Sequence, residues 1–194
     1  EALPYIGQMQ DKIELDSDIY IVNQTLFINS INLTDEQINK INNIKQLILI
    51  IEAPYLQSLK FLDECEKLTS FLQTLSVQNL IDPKEFKNNV LNNLQHLHAP
   101  NLQQTIGCNL QEMHQIRFLE LKNAKILGKH TLDMCYNLET IIIPRVREIR
   151  DSSFSYCFQL SYIEADELKI IGTFCFEQTV AEIYAPKFGG CYKQ

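Results

Sequence analysis

The chain has 194 residues, 45% of them hydrophobic and 21% charged, a composition that suits one or two globular domains. Its net charge of −7, with acids and bases interspersed, argues against a nucleic-acid surface, which needs a basic stripe. The longest apolar run, Leu47 to Ile51, falls far short of the roughly 20 residues of a membrane span. The first residue is Glu1 and no signal-peptide pattern follows it, so a processed product or an excised piece is expected.

In chain order, Asp11 to Leu15 and Ile19 to Ile28 alternate as strands do, with Ile19, Ile21, Leu26 and Ile28 inward. Thr34-Asp35-Glu36-Gln37 is a capping box that opens a short helix carrying Ile38 and Ile41. Asn23-Gln24-Thr25 and Asn32-Leu33-Thr34 are glycosylation sequons. None of residues 1–43 repeats later, and the segment reads as an N-terminal cap over one raw end of a stack.

From Ile48 the chain repeats. The coils start at Ile48, Leu72, Leu94, Ile116, Leu138, Leu160 and Val180, with intervals of 20 to 24 residues and mostly 22. Position four is Ile51, Leu75, Leu97, Leu119, Ile141, Ile163 and Ile183. Position six is Ala53, Val77, Ala99, Leu121, Ile143, Ala165 and Ala185, and position nine is Leu56, Leu80, Leu102, Ala124, Val146, Leu168 and Phe188. Three columns without a polar side chain mark coils that bury one another. Pro54, Pro100, Pro144 and Pro186 at position seven lack an N–H and end strand pairing there.

Past position nine the chain must turn back. Position twelve is apolar in Leu59, Leu127, Ile149 and Ile171, and position seventeen is Leu110, Leu132, Phe154 and Phe176. Gly128 and Gly172 follow position twelve, where a tight bend is expected. The second coil is irregular: Cys65-Glu66-Lys67-Leu68 copies the Cys135-Tyr136-Asn137-Leu138 junction, which competes with a start at Leu72 and leaves about four residues as an insertion. Pro83 and Lys84 to Asn89 make the back of that coil atypical. The last strand looks bare unless Phe188 to Gln194 folds over it or the natural chain continues.

The string L-x-x-I-x-I-P-x-V-x-x-I-x-x-x-x-F-x-x-C-x-x-L, read from Leu138 to Leu160, resembles the BspA-type leucine-rich repeat. Partial matches include Ile171-Gly172 with Phe176 and Leu127-Gly128 with Cys135. The resemblance spans roughly residues 48 to 188. The usual Ala before the position-seventeen aromatic is Ser153 here, and Cys175 in the next coil. It implies an α/β repeat, a right-handed leucine-rich-repeat solenoid with one curved parallel sheet and turns or short helices on the convex side. Residues 1–43 would be the cap and residues 44–194 a solenoid of about seven coils, the last one truncated. The resemblance further implies no catalytic residues and a surface-exposed or secreted protein used in adhesion or recognition.

Cys135 and Cys157 share a column with Met113, either as packed free thiols or as a disulfide between stacked coils. Odd strand positions point away from the core. Position three supplies His96, Phe118 and Tyr162; position five supplies His98, Glu120, Ile142, Glu164 and Tyr184. Large apolar side chains ringed by carboxylates suit a protein interface, so these eight residues are the expected partner-binding set. His96 and His98 project together, with Glu120 one coil away, but a zinc site needs a third and usually a fourth ligand, so no metal or cofactor is expected.

No nucleophile elbow, P-loop or dinucleotide turn occurs, and Asp166-Glu167 lies at a loop edge. The expected function is a non-enzymatic protein-recognition or adhesion module at a cell surface or in secreted form. The alternatives are a rigid scaffolding segment of a longer intracellular (cytoplasmic) protein, or the regulatory repeat domain of an enzyme whose catalytic part lies elsewhere.

Overall fold

The computed structural model describes residues 12–80, 91–103, 105 and 110–188. Expectations for Pro83, Lys84 to Asn89 and residues 189–194 fall outside these residues, as do Cys108 and Cys191.

Strands β1 (Ile13–Asp16), β2 (Ile19–Val22) and β3 (Thr25–Ile28) form an antiparallel meander. The single strand expected over Ile19 to Ile28 is a hairpin instead. Asn23 and Gln24 take φ of 51° and 63°, the left-handed pair of a two-residue hairpin turn. The reversal also resolves a parity conflict. In one straight strand Ile19 and Ile21 would face opposite to Leu26 and Ile28, whereas the hairpin buries all four. Asn23 and Asn32, the sequon asparagines, are exposed.

Helix α1 (Asp35–Asn42) opens with the capping box: Thr34 Oγ1 accepts from the Gln37 N–H, and Gln37 Oε1 accepts from the Thr34 N–H. Strand β3 then pairs in parallel with β4 (Ile50–Glu52), joining the N-terminal meander to the repeats in one sheet. Next come the one-turn helices α2 (Phe61–Glu64) and α3 (Glu66–Thr69), followed by β5 (Thr74–Ser76), β6 (His96–His98) and β7 (Phe118–Glu120). The rest are β8 (Ile126–Leu127), β9 (Thr140–Ile142), β10 (Glu148–Ile149), β11 (Tyr162–Glu164), β12 (Ile170–Ile171) and β13 (Glu182–Tyr184).

The chain is a solenoid of about seven turns. The expected parallel-sheet solenoid holds, with two details beyond the expectation. The main sheet has 10 strands in the order β1-β2-β3-β4-β5-β6-β7-β9-β11-β13, antiparallel only among β1, β2 and β3, and β12-β10-β8 form a second, 3-stranded parallel sheet. Position twelve is therefore strand at Leu127, Ile149 and Ile171, built from two-residue segments, while Leu59 of the first coil lies outside any strand. Helices on the return side are confined, among the described residues, to the first coil.

Register is kept throughout. Leu119 pairs with Ile141 and Ile141 with Ile163 on adjacent parallel strands. The position-six N–H of each coil donates to the position-five carbonyl of the next, as in Leu121 to Ile142 at 2.9 Å and Ile143 to Glu164 at 2.8 Å. Columns four, six and nine are buried from the first coil through Leu168, and one continuous core runs from Ile19 to Phe176. Burying that much apolar surface is the main term that favours the stack.

Both readings of the second coil hold in part. Leu68 N–H donates to Cys65 O at 3.0 Å, the junction bond that Leu138 makes to Cys135 at 3.1 Å, yet Leu75 is the residue that pairs with Ile51. The junction comes two residues earlier than the usual 22-residue interval, and four extra residues precede the strand.

Among the described residues, no glycine takes a left-handed φ. Left-handed φ falls on His130, Ser152 and Phe174 in one column and on Glu112, Met134, Tyr156 and Gln178 in another. Such φ values cost free energy for ordinary residues, and coil-to-coil bonds offset that cost: His130 N–H to Asp151 O at 3.1 Å, Tyr156 N–H to Glu177 O at 2.8 Å. Gly172 serves close approach instead, since a Cβ there would lie 2.4 Å from the Asp151 nitrogen. Cys65, Cys135, Cys157 and Cys175 are free and buried, so of the two expectations for Cys135 and Cys157 the packed thiol holds.

Candidate protein-binding face

Each three-residue strand shows one pattern: the central side chain enters the core and the flanking two stay on the outer face. The sheet therefore carries two columns of side chains along the stack. His96, Phe118, Thr140, Tyr162 and Glu182 run along one; His98, Glu120, Ile142, Glu164 and Tyr184 run along the other. All eight expected site residues lie on this face.

Their exposure is less than the pattern alone predicts. Seven of the eight are half-buried, because neighbours 22 residues apart pack on one another, and Tyr184 at the last strand is 54% exposed. The Phe118 ring lies 5.3 Å from the His98 ring and 6.4 Å from that of His96, centroid to centroid.

Glu120 is held at both oxygens. His98 Nδ1 lies 3.1 Å from Oε2, and Lys122 Nζ 3.0 Å from Oε1. Burial pushes the Glu120 carboxyl up, but the hydrogen bonds from His98 and Lys122 outweigh it and hold the group below its usual range. His96 is shifted down, by burial first and then by His98 and Arg117. Tyr162 is pushed up by burial and by the carboxylates around it, with Glu164 foremost. No group of three or more His, Cys, Asp or Glu side chains fit to hold a metal forms among the described residues.

The N-terminal meander adds to the same face. Phe27 pairs with Glu52 and Thr25 with Ile50, so the columns continue into β3. Phe27 stacks on Tyr20 with centroids 4.9 Å apart, and Lys12 Nζ sits 4.4 Å above the Tyr20 ring. Sequence reading missed this aromatic end, because residues 1–43 carry no repeat to set their phase. It also missed a second ladder beside the strands. His114 stacks on Tyr136 at 4.8 Å and Tyr136 on Phe158 at 5.5 Å. Their 22-residue spacing was the available signal.

The remaining two histidines have local partners: His114 Nδ1 lies 3.1 Å from Met134 O, and His130 Nδ1 3.2 Å from Asp133 Oδ2. Arg117 reaches Glu139 Oε1 through Nε at 2.9 Å and Nη2 at 2.6 Å, bracing successive coils beside the face. No described helix is long and apolar enough to cross a membrane.

The family model for the BspA type Leucine rich repeat region matches residues 79–188, in 6 copies. No curated protein and no solved structure matches the chain.

Proposed function

The chain belongs to the BspA-type leucine-rich repeat family, and from that premise we propose that it is a non-enzymatic recognition module gripping a protein partner with the outer face of its sheet. The observation that carries this reading is the pair of outer columns, where Phe118, Ile142, Tyr162 and Tyr184 lie among the carboxylates Glu120, Glu164 and Glu182. Glu52, Glu164 and Glu182 form no ion pair among the described residues, so the complementary surface carries lysine or arginine. At about 4.8 Å per strand the solenoid part of the face runs roughly 30 Å, enough for an extended segment of about nine residues. We place the module at a cell surface or in secreted form, in an adhesive role.

The second reading is an intracellular scaffold, which the free thiols at Cys65, Cys135, Cys157 and Cys175 favour.

The test compares wild type with a Phe118→Ser and Tyr162→Ser double variant in a pull-down, with a thermal melt beside it. The expected result is a nearly unchanged melt, with loss of the captured protein. Equal capture by both proteins, or a large drop in melting temperature in the variant, sinks the reading.

A further inference from the structure

Between the cap helix and the first coil lies a cleft of about 230 Å³, away from the sheet face. Its floor is apolar: Ile41 of α1 and Ile48 and Leu68 of the coil are buried there. Its walls are Leu47 and Phe71, which remain 44% and 57% exposed. Phe71 belongs to the four residues inserted ahead of β5, so one wall is a departure from the repeat rather than a product of it.

Lys45 and Lys67 stand at the same cleft. In this acidic chain, Lys12, Lys40, Lys122 and Lys129 are matched with carboxylates, while Lys60, Lys125, Lys169 and Lys187 have no ion-pair partner among the described residues and do not stand at this cleft. Lys45 and Lys67 have no ion-pair partner among the described residues, and Asp63 and Glu64 of the adjoining α2 do not line the cleft. The end of α1 does not cancel this charge. Its Asn39 and Ile41 carbonyls already accept from Asn43, and Ile44 donates to Ile41 at 3.1 Å.

We infer that this cleft binds a small amphipathic carboxylate, a straight-chain acid of about six to eight carbons. An apolar cavity of about 150 Å³ takes benzene, which sets that chain length. The hydrocarbon tail lies along Ile41, Leu68 and Phe71, and the carboxylate meets Lys45 and Lys67. Asn42 and Gln46, also at the cleft, supply amide donors for the same head group. The site stands independently of the sheet face.

The test is calorimetric titration of the full chain with octanoate and, separately, with octan-1-ol at neutral pH. The expected result is saturable octanoate binding, tighter than octanol by about fivefold and weakened by added salt. In a Lys45→Gln and Lys67→Gln double variant that preference disappears, while octanol binding is kept. Phe71→Ala weakens both ligands. Because all three positions are exposed, a melt matching wild type is expected for each variant. Absence of octanoate binding, equal affinity for acid and alcohol, or an undiminished preference in the double-lysine variant overturns the inference. Tighter binding of an apolar peptide without a carboxylate does so too.

Discussion

Cys157 donates its thiol hydrogen to the main-chain carbonyl of Leu132, one coil earlier, at 3.1 Å. Cys135 makes the same bond to Leu110 at 3.2 Å. A thiolate could make neither bond, and burial opposes its charge. The Cys135 and Cys175 thiols are pushed up to about 12 and Cys65 to about 11, all chiefly by burial; Cys157 is raised by burial and by Cys135 beside it. An unfolded thiol ionises near 8.5.

The folded state therefore holds these protons longer than the unfolded one. The stabilisation is complete below about pH 8.5 and drains away as pH climbs towards about 12, at about 1.4 kcal/mol per thiol per pH unit. Urea midpoints taken across that range should fall more steeply for wild type than for a Cys135→Ala and Cys157→Ala variant. Lysines and tyrosines titrate in both proteins, so equal slopes would refute the role given to the thiols.

Gly172→Ala tests close approach rather than backbone freedom. The new Cβ would sit 2.4 Å from Asp151 N, 2.6 Å from its Oδ1 and 2.7 Å from Arg150 C, and main-chain atoms cannot step aside cheaply. A loss of about 1–3 kcal/mol is expected in a denaturant titration. A neutral or stabilising result would show that the coils can spread at this point.

Ile141→Asp tests the stack itself. Ile141 is fully buried, between Leu119 and Ile163. An unpaired carboxylate there should cost about 3–5 kcal/mol. Because each coil leans on its neighbours, the loss should spread to several coils, with limited proteolysis cutting on both sides of the substitution. Cleavage confined to one coil would contradict the shared core.

Much of this architecture was legible because burial forbids polar side chains. Columns four, six and nine announce themselves at Ile141, Ile143 and Val146 and recur at nearly constant spacing. Parity then assigns Phe118 and Glu120 to the opposite surface without further information. What parity leaves open is how those outer side chains treat one another, so the clasp of His98 and Lys122 on Glu120 had to be seen.

The hairpin at Asn23-Gln24 was hidden because neither residue is glycine, although the mismatch between Ile19/Ile21 and Leu26/Ile28 encoded it. The second sheet was hidden for a different reason. Two residues, as in Glu148–Ile149, are too few to show a period. Left-handed turns at Ser152 and Tyr156 leave no compositional mark, since bonds from the next coil hold them in place.

The coil length has a consequence for how such a molecule changes over generations. Moving any residue from Leu94 to Asn137 along by 22 places lands it at the equivalent point of the following coil. Gain or loss of one such unit alters the reach of the protein while leaving inside and outside as they were. A one-residue slip within a strand would instead turn the interior out. Exchange of outer side chains edits what is recognised, exchange of whole units edits how far the surface extends, and the geometry lets the two proceed separately.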